Sequence, residues 1–168
     1  MAAERTTNSG SAHCEGEELR WLDEDEKEAW TGAVSLAMLL PGKLESPLRQ
    51  KHGLTLFEYL VLSHMSEAPQ RQLRMGELAY LAGGSPSRLS NVMKRFEQRG
   101  WVERSPDPEN GRYILAILTE EGFAVVRQAA PTHLRAVRRM VLDRLSAADQ
   151  KALARIAEKL QIRPADFT

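Results

Sequence analysis

The apolar positions of this chain fall into helical stripes separated by glycine, proline and polar turn residues. Trp30, Val34, Ala37 and Met38 recur at helical spacing, which predicts a helix beginning near Asp23. Pro41-Gly42 is expected to break or kink it, with a further helical piece carrying Leu44 and Leu48 to His52-Gly53. Leu56, Tyr59, Leu60 and Met65 form the apolar face of the next helix. Thr55 followed three residues later by Glu58 predicts a capping box at its start, and Ala68-Pro69 predicts its end.

Beyond Arg74 the run MGELAYLA reads as a short helix, followed by Gly83-Gly84 and a second helix, SRLSNVMKRFEQR. Ser85 suits the N-cap of that helix. Pro86 suits its first position, where the missing N–H costs nothing, and Gly100 stops it. Helix, glycine turn, helix is the helix-turn-helix pattern. WVERS and RYILAIL then read as two strands, with Asn110-Gly111 as a tight hairpin turn between them. Thr119 caps a long helix predicted to run to Leu145, with Phe123, Val126, Leu134, Val137, Val141 and Leu145 as its inward stripe. Ser146 with Asp149 opens a last helix, with Leu153, Ile156, Ala157 and Leu160 on one face. The fold class is mainly α with a small β-hairpin wing.

Within SRLSNVMKRFEQR, Leu89, Val92, Met93 and Phe96 lie within roughly 100° of one another and must face a core. Ser87, Asn91, Lys94 and Gln98 lie opposite, with Arg88 and Arg95 on one flank and Ser90 on the other. Hydroxyls, an amide and long cations are the side chains that bond phosphate oxygens and base edges in a major groove. In an isolated helix the same face would more often be merely solvated. The short helix before it and the hairpin after it favour nucleic acid, and Arg112, beside the hairpin turn, suits an adjacent minor groove.

Charge changes the picture only when divided along the chain. The total is zero, yet residues 1–28 carry nine acids against three bases, so residues 29–168 are net +6. Between Ser85 and Arg112 the balance is +2, a modest value that suits a protein binding in two copies. Residues 1–22 are expected to form a disordered acidic tail. The single cysteine, Cys14, excludes an internal disulfide, and its acidic neighbours should raise its thiol pKa, which disfavours a peroxide-sensing role. His13, His52, His64 and His133 have no metal-ligand spacing. No apolar run of membrane-spanning length, secretory leader, nucleophile elbow or phosphate loop is present. The expectation is a cytoplasmic protein that is not an enzyme, with no catalytic residues, cofactor, metal or membrane partner.

The run from Arg74 to Gly122 resembles the winged helix-turn-helix of the MarR family of bacterial transcriptional regulators. HGLTLFEYLVLSHMSEAP resembles the helix that precedes it there, and LSAADQKALARIAEKL the family's closing dimerisation helix. The resemblance implies an N-terminal dimerisation helix region over 23–52, a DNA-binding domain over 54–118 and C-terminal dimerisation helices over 119–162. It also implies a homodimer that places a recognition helix in the major groove and a wing in the minor groove of a pseudo-palindromic operator, usually as a ligand-responsive repressor. Ser87, Arg88, Ser90, Asn91, Lys94, Arg95, Asn110 and Arg112 are the expected DNA-binding residues. Trp30, Met38, Tyr59 and His64 are the candidates to line a small-molecule effector cavity. The family usually has an aspartate two residues before the wing arginine, where this chain has Asn110. Asp107 and Glu109 are the nearby carboxylates able to take its place. The alternatives are an oxidant- or metal-responsive variant, or a winged-helix protein-interaction module that does not bind DNA. The Asn91/Lys94/Arg95 face lacks the aromatic or aliphatic anchors expected of the latter.

Overall fold

Local capping sets most of the helix starts. A computed structural model describes residues 19–160, which divide into two units between Val34 and Ser35. Most of the acidic tail expected over 1–22, with His13 and Cys14, lies outside the described residues. In the first unit, Asp23 Oδ1 accepts from the Glu26 N–H at 2.9 Å while Glu26 Oε2 accepts from the Asp23 N–H at 3.1 Å. This reciprocal cap opens α1, Glu24–His52, on which Trp30 is 63% exposed.

Helix α1 runs without interruption through Pro41 and Pro47, so the break expected at Pro41-Gly42 does not occur. Each proline deletes one ladder hydrogen bond and costs about 3 kcal/mol, and helix on both sides carries the ladder past it. In the second unit, Thr55 and Glu58 form the capping box of α2, Leu56–Glu67. A turn at Pro69–Arg71, in which Gln70 and Arg71 have φ of 53° and 55°, leads into β1, Gln72–Arg74, a strand the sequence pattern did not reveal. Helices α3, Met75–Leu81, and α4, Pro86–Gln98, follow, then β2, Val102–Pro106, and β3, Ile114–Leu118. The three strands form one antiparallel sheet in the order β1-β3-β2, with Leu73 and Arg104 both opposite Ala116.

Helix α5, Glu120–Met140, stops before the predicted Leu145. Val141 leaves helical geometry and Leu142–Arg144 form a 3₁₀ turn. Ser146 and Asp149 form the capping box of α6, Ala147–Lys159. The main core joins α2, α3, α4 and the sheet around Val61, Leu62, Met65, Leu78, Leu89 and Phe96. A second cluster, Leu48, Leu54, Tyr59 and Ala129, packs α1 and α2 against α5. The turn between α3 and α4 is tight. Gly83 has φ +66°, and a Cβ on Gly84 would lie 2.4 Å from the Phe57 ring.

Among the described residues, no helix is long and apolar enough to cross a membrane, and no group of three or more His, Cys, Asp or Glu is placed to hold a metal.

Candidate nucleic-acid interface

Helix α4 is entered through Ser85, whose hydroxyl accepts from the Arg88 N–H at 3.2 Å, with Pro86 in the first turn. Its amphipathic register is fixed by Leu89, Val92, Met93 and Phe96, all buried in the main core. The opposite side is therefore turned outward. Ser87, Arg88, Ser90, Asn91, Lys94 and Arg95 are all exposed, as is Gln98. Glu97, the one acid on the helix, is partly buried and accepts two hydrogen bonds from Arg104 of β2, at 2.8 and 2.5 Å. The outward strip is thus cationic and polar, and the hairpin is clamped to the helix that carries it.

Two of the strip's arginines rest on α2. The Arg88 guanidinium lies 4.1 Å from the centroid of the Phe57 ring. Arg95 Nη2 donates to Glu58 Oε1 at 2.6 Å, and its Nη1 reaches the Asn91 carbonyl at 3.4 Å. Burial pushes the Glu58 carboxyl up, but bonds from Arg95 and from the Thr55 backbone and hydroxyl outweigh it, and the net shift is downward. Sequence reasoning found Glu58 as a cap and missed its second partner, which lies 37 residues away.

The wing differs from the tight turn expected at Asn110-Gly111. Neither residue has the positive φ that a two-residue primed turn needs. Instead residues 107–113 form a longer loop, closed by Asp107 N–H to Tyr113 C=O at 3.0 Å. Its root is Asp107, a buried carboxylate that accepts from Arg74 Nε and Nη2 of β1, each at 2.7 Å, and from the Glu109 N–H at 2.9 Å. The Glu109 N–H, and the Arg74 guanidinium against opposing burial, hold this carboxyl below the usual range. Asp107 therefore anchors the wing base and is not the partner of Arg112. Asn110 Oδ1 accepts from the Arg112 backbone N–H at 3.2 Å, and among the described residues the Arg112 guanidinium has no acidic partner within 4 Å. Arg112 is an exposed cation at the loop tip.

Met38 is 76% exposed, His64 is partly buried, and Tyr59 is buried with its ring 4.5 Å from that of His133. Trp30 belongs to the first unit. A separate cavity of about 430 Å³ opens between α1 and α5, lined by Pro47, Lys51, Thr132, Arg135, Ala136 and Arg139. None of its three cations pairs with an acid among the described residues. Beside it, His52 Nε2 and Thr132 Oγ1 share a hydrogen bond of 3.0 Å.

The sequence signature of the MarR family matches residues 52–112. The HTH-type transcriptional repressor Rv2887 of Mycobacterium tuberculosis is 36% identical over 108 residues, which are 64% of this chain and 76% of the relative. Sco3205, a MarR family regulator of Streptomyces coelicolor solved in complex with DNA, superposes with a TM-score of 0.78 at 41% identity. The match covers 87% of this chain and 94% of Sco3205. Rv2887 solved with p-aminosalicylic acid superposes with a TM-score of 0.56 at 30% identity, over 83% of this chain and 98% of that one. From these matches and the helix-turn-helix with its wing, the chain belongs to the MarR family of transcriptional regulators.

Proposed function

We propose that this chain is a dimeric repressor that binds a pseudo-palindromic operator, with α4 in the major groove and the 107–113 wing in the minor groove. The observation that carries this reading is the outward strip of α4, where Ser87, Arg88, Ser90, Asn91, Lys94 and Arg95 are exposed together. Such groups supply both phosphate contacts and base-edge bonds. Asn91 and Arg88 are assigned to base edges, Lys94 to a phosphate, and Arg112 to the minor groove with Asn110 shaping its backbone. Sco3205, solved with DNA at 41% identity, supports the same use of the fold. A protein of this kind acts where bacterial DNA is, in the cytoplasm.

The dimer would cover apolar surface that one chain leaves open. Leu36 is 57%, Leu153 41%, Ile156 45% and Leu160 65% exposed, and Leu36, Leu153 and Ile156 border one groove with Val141 and Leu145. Two-fold pairing is the common way to bury such a face. An effector would release the operator by binding one dimer shape more tightly than the other. The cationic cavity at Lys51, Arg135 and Arg139 suits a small carboxylate, and the Rv2887 complex makes p-aminosalicylate a reasonable probe. The test is to select duplexes from a random pool and titrate the recovered sequence against a scrambled one, with sedimentation for the dimer. Equal affinity for both duplexes would refute specific recognition, and a stable folded monomer at micromolar concentration would refute the dimer.

A further inference from the structure

The first turn of α2 meets α4 through two consecutive residues, and each holds one arginine of the exposed strip. Arg88 and Arg95 are seven residues apart, two helical turns, so they share a flank of α4. The Phe57 ring beneath Arg88 is 5% exposed and is confined on another side by the Gly84 backbone. The Glu58 side chain beneath Arg95 is 10% exposed. Its second oxygen accepts from the Thr55 N–H and the Thr55 hydroxyl, both at 2.9 Å.

These supports are asymmetric in a way that matters. An ordinary surface ion pair joins two free side chains and positions neither. Here the carboxylate is fixed by the backbone of the α2 N-cap, so the guanidinium must come to it. Arg95 nevertheless stays 50% exposed and keeps further N–H donors for an outside acceptor, because guanidinium carries five. The α2 turn is itself fixed, since Glu45 Oε2 of α1 accepts from the Leu56 N–H at 3.0 Å.

We infer that Phe57 and Glu58 are positioning residues for DNA readout, which hold Arg88 and Arg95 in their binding geometry before DNA arrives. The inference rests on the operator-binding reading above. An arginine already immobilised loses less rotamer freedom on binding. Glu58 has a second effect: it neutralises Arg95 toward random phosphate, so that only a duplex matching the fixed geometry gains the contact.

The test uses the full chain, the duplex selected by the wild type and a scrambled duplex of the same length. Glu58→Gln keeps the shape and can still cap α2, because glutamine serves at this capping-box position. Its expected effect is a fall of about 3- to 10-fold in the preference for the selected over the scrambled duplex. The salt dependence on scrambled DNA should also steepen, by about 0.9 in log–log slope per subunit, as a freed Arg95 finds phosphate. In an Arg95→Gln background Glu58→Gln should change neither quantity further, whereas a merely structural role would give the same loss in both backgrounds. Should Glu58→Gln fail to fold, Arg95→Lys makes the same test from an exposed position. It keeps the charge, loses the fork, and should lower the preference by a similar factor. An unchanged preference in the folded variants, or equal losses in both backgrounds, would overturn the inference while leaving operator binding intact. A wild type without preference for the selected duplex would instead overturn the operator-binding reading, and this inference with it.

Discussion

Gly122 lies in the first turn of α5, where Thr119 Oγ1 accepts its N–H at 3.1 Å. Helix propensity alone says that Gly122→Ala should stabilise, by up to about 1 kcal/mol. The packing says otherwise. An added Cβ would lie 2.1 Å from the Trp101 carbonyl oxygen and 2.7 Å from Leu118 Cδ1. The first neighbour is backbone and cannot rotate away, so α5 would have to retreat from the 100–101 turn by about 1 Å to restore normal contact. That movement would strain Thr119 N–H to Trp101 C=O at 3.1 Å and Thr119 Oγ1 to Gly100 C=O at 2.7 Å. Two hydrogen bonds are worth about 1 kcal/mol each, and overpacking a buried site costs about 1–3 kcal/mol. Set against the propensity gain, the net is a destabilisation of about 2–4 kcal/mol. Urea unfolding at one fixed protein concentration is the assay, because the stability of the proposed dimer would depend on concentration. With a slope of about 2 kcal/mol per molar, the midpoint should fall by about 1–2 M with the slope unchanged. An unchanged or raised midpoint would refute the steric argument.

Arg112→Ala should weaken binding to the selected duplex and leave the melting temperature within the scatter of repeated melts, because the side chain is exposed and has no acidic partner among the described residues. Titration and thermal melts on one preparation check both halves. Asn91→Ala should cost about 1–3 kcal/mol on the selected duplex and little on scrambled DNA, whereas Lys94→Ala should weaken both about equally. Identical profiles for the two would mean that the base-reading side of α4 is elsewhere. His133 packs on Tyr59, its Nδ1 is buried without a hydrogen-bond partner among the described residues, and burial holds its pKa below the usual value near 6.5. The unfolded chain therefore takes up the proton first as pH falls. The contribution of His133 to stability is complete above about pH 6.5 and declines below it, down to the lower folded pKa. Melting temperatures from pH 8 to 5 should show this decline, and His133→Phe should reduce it. An identical pH profile in the variant would assign the dependence to other groups.

What the sequence determined by itself was the helix caps and the buried side of α4, each set by neighbours a few residues apart. The caps at Thr55, Ser85, Thr119 and Ser146 join a side chain to a backbone N–H three residues on, so their pattern is readable in one dimension. The same holds for the buried side of α4. Once Leu89, Val92, Met93 and Phe96 share a face, helix geometry alone turns Asn91 and Lys94 outward. The MarR resemblance rested on the run from Arg74 to Gly122, with its helix-hairpin register and Arg112 before Leu118-Thr119.

Tertiary structure decided what depends on distant partners. Strand β1 is three residues long and exists because β3 pairs with it, with no period of its own to reveal it. The wing takes its loop form in place of the turn suggested by Asn110-Gly111 because Asp107 is held by Arg74, 33 residues earlier. Pro41 does not end α1, because helix on both sides of it carries the ladder past the missing hydrogen bond. Glu58 shows both levels in one side chain. One oxygen closes a capping box with Thr55, which sequence spacing predicts, and the other holds Arg95, which it cannot. A local hydrogen bond is constrained by the few dihedral angles between its partners, whereas a long-range contact exists only once the whole core has fixed where two helices lie.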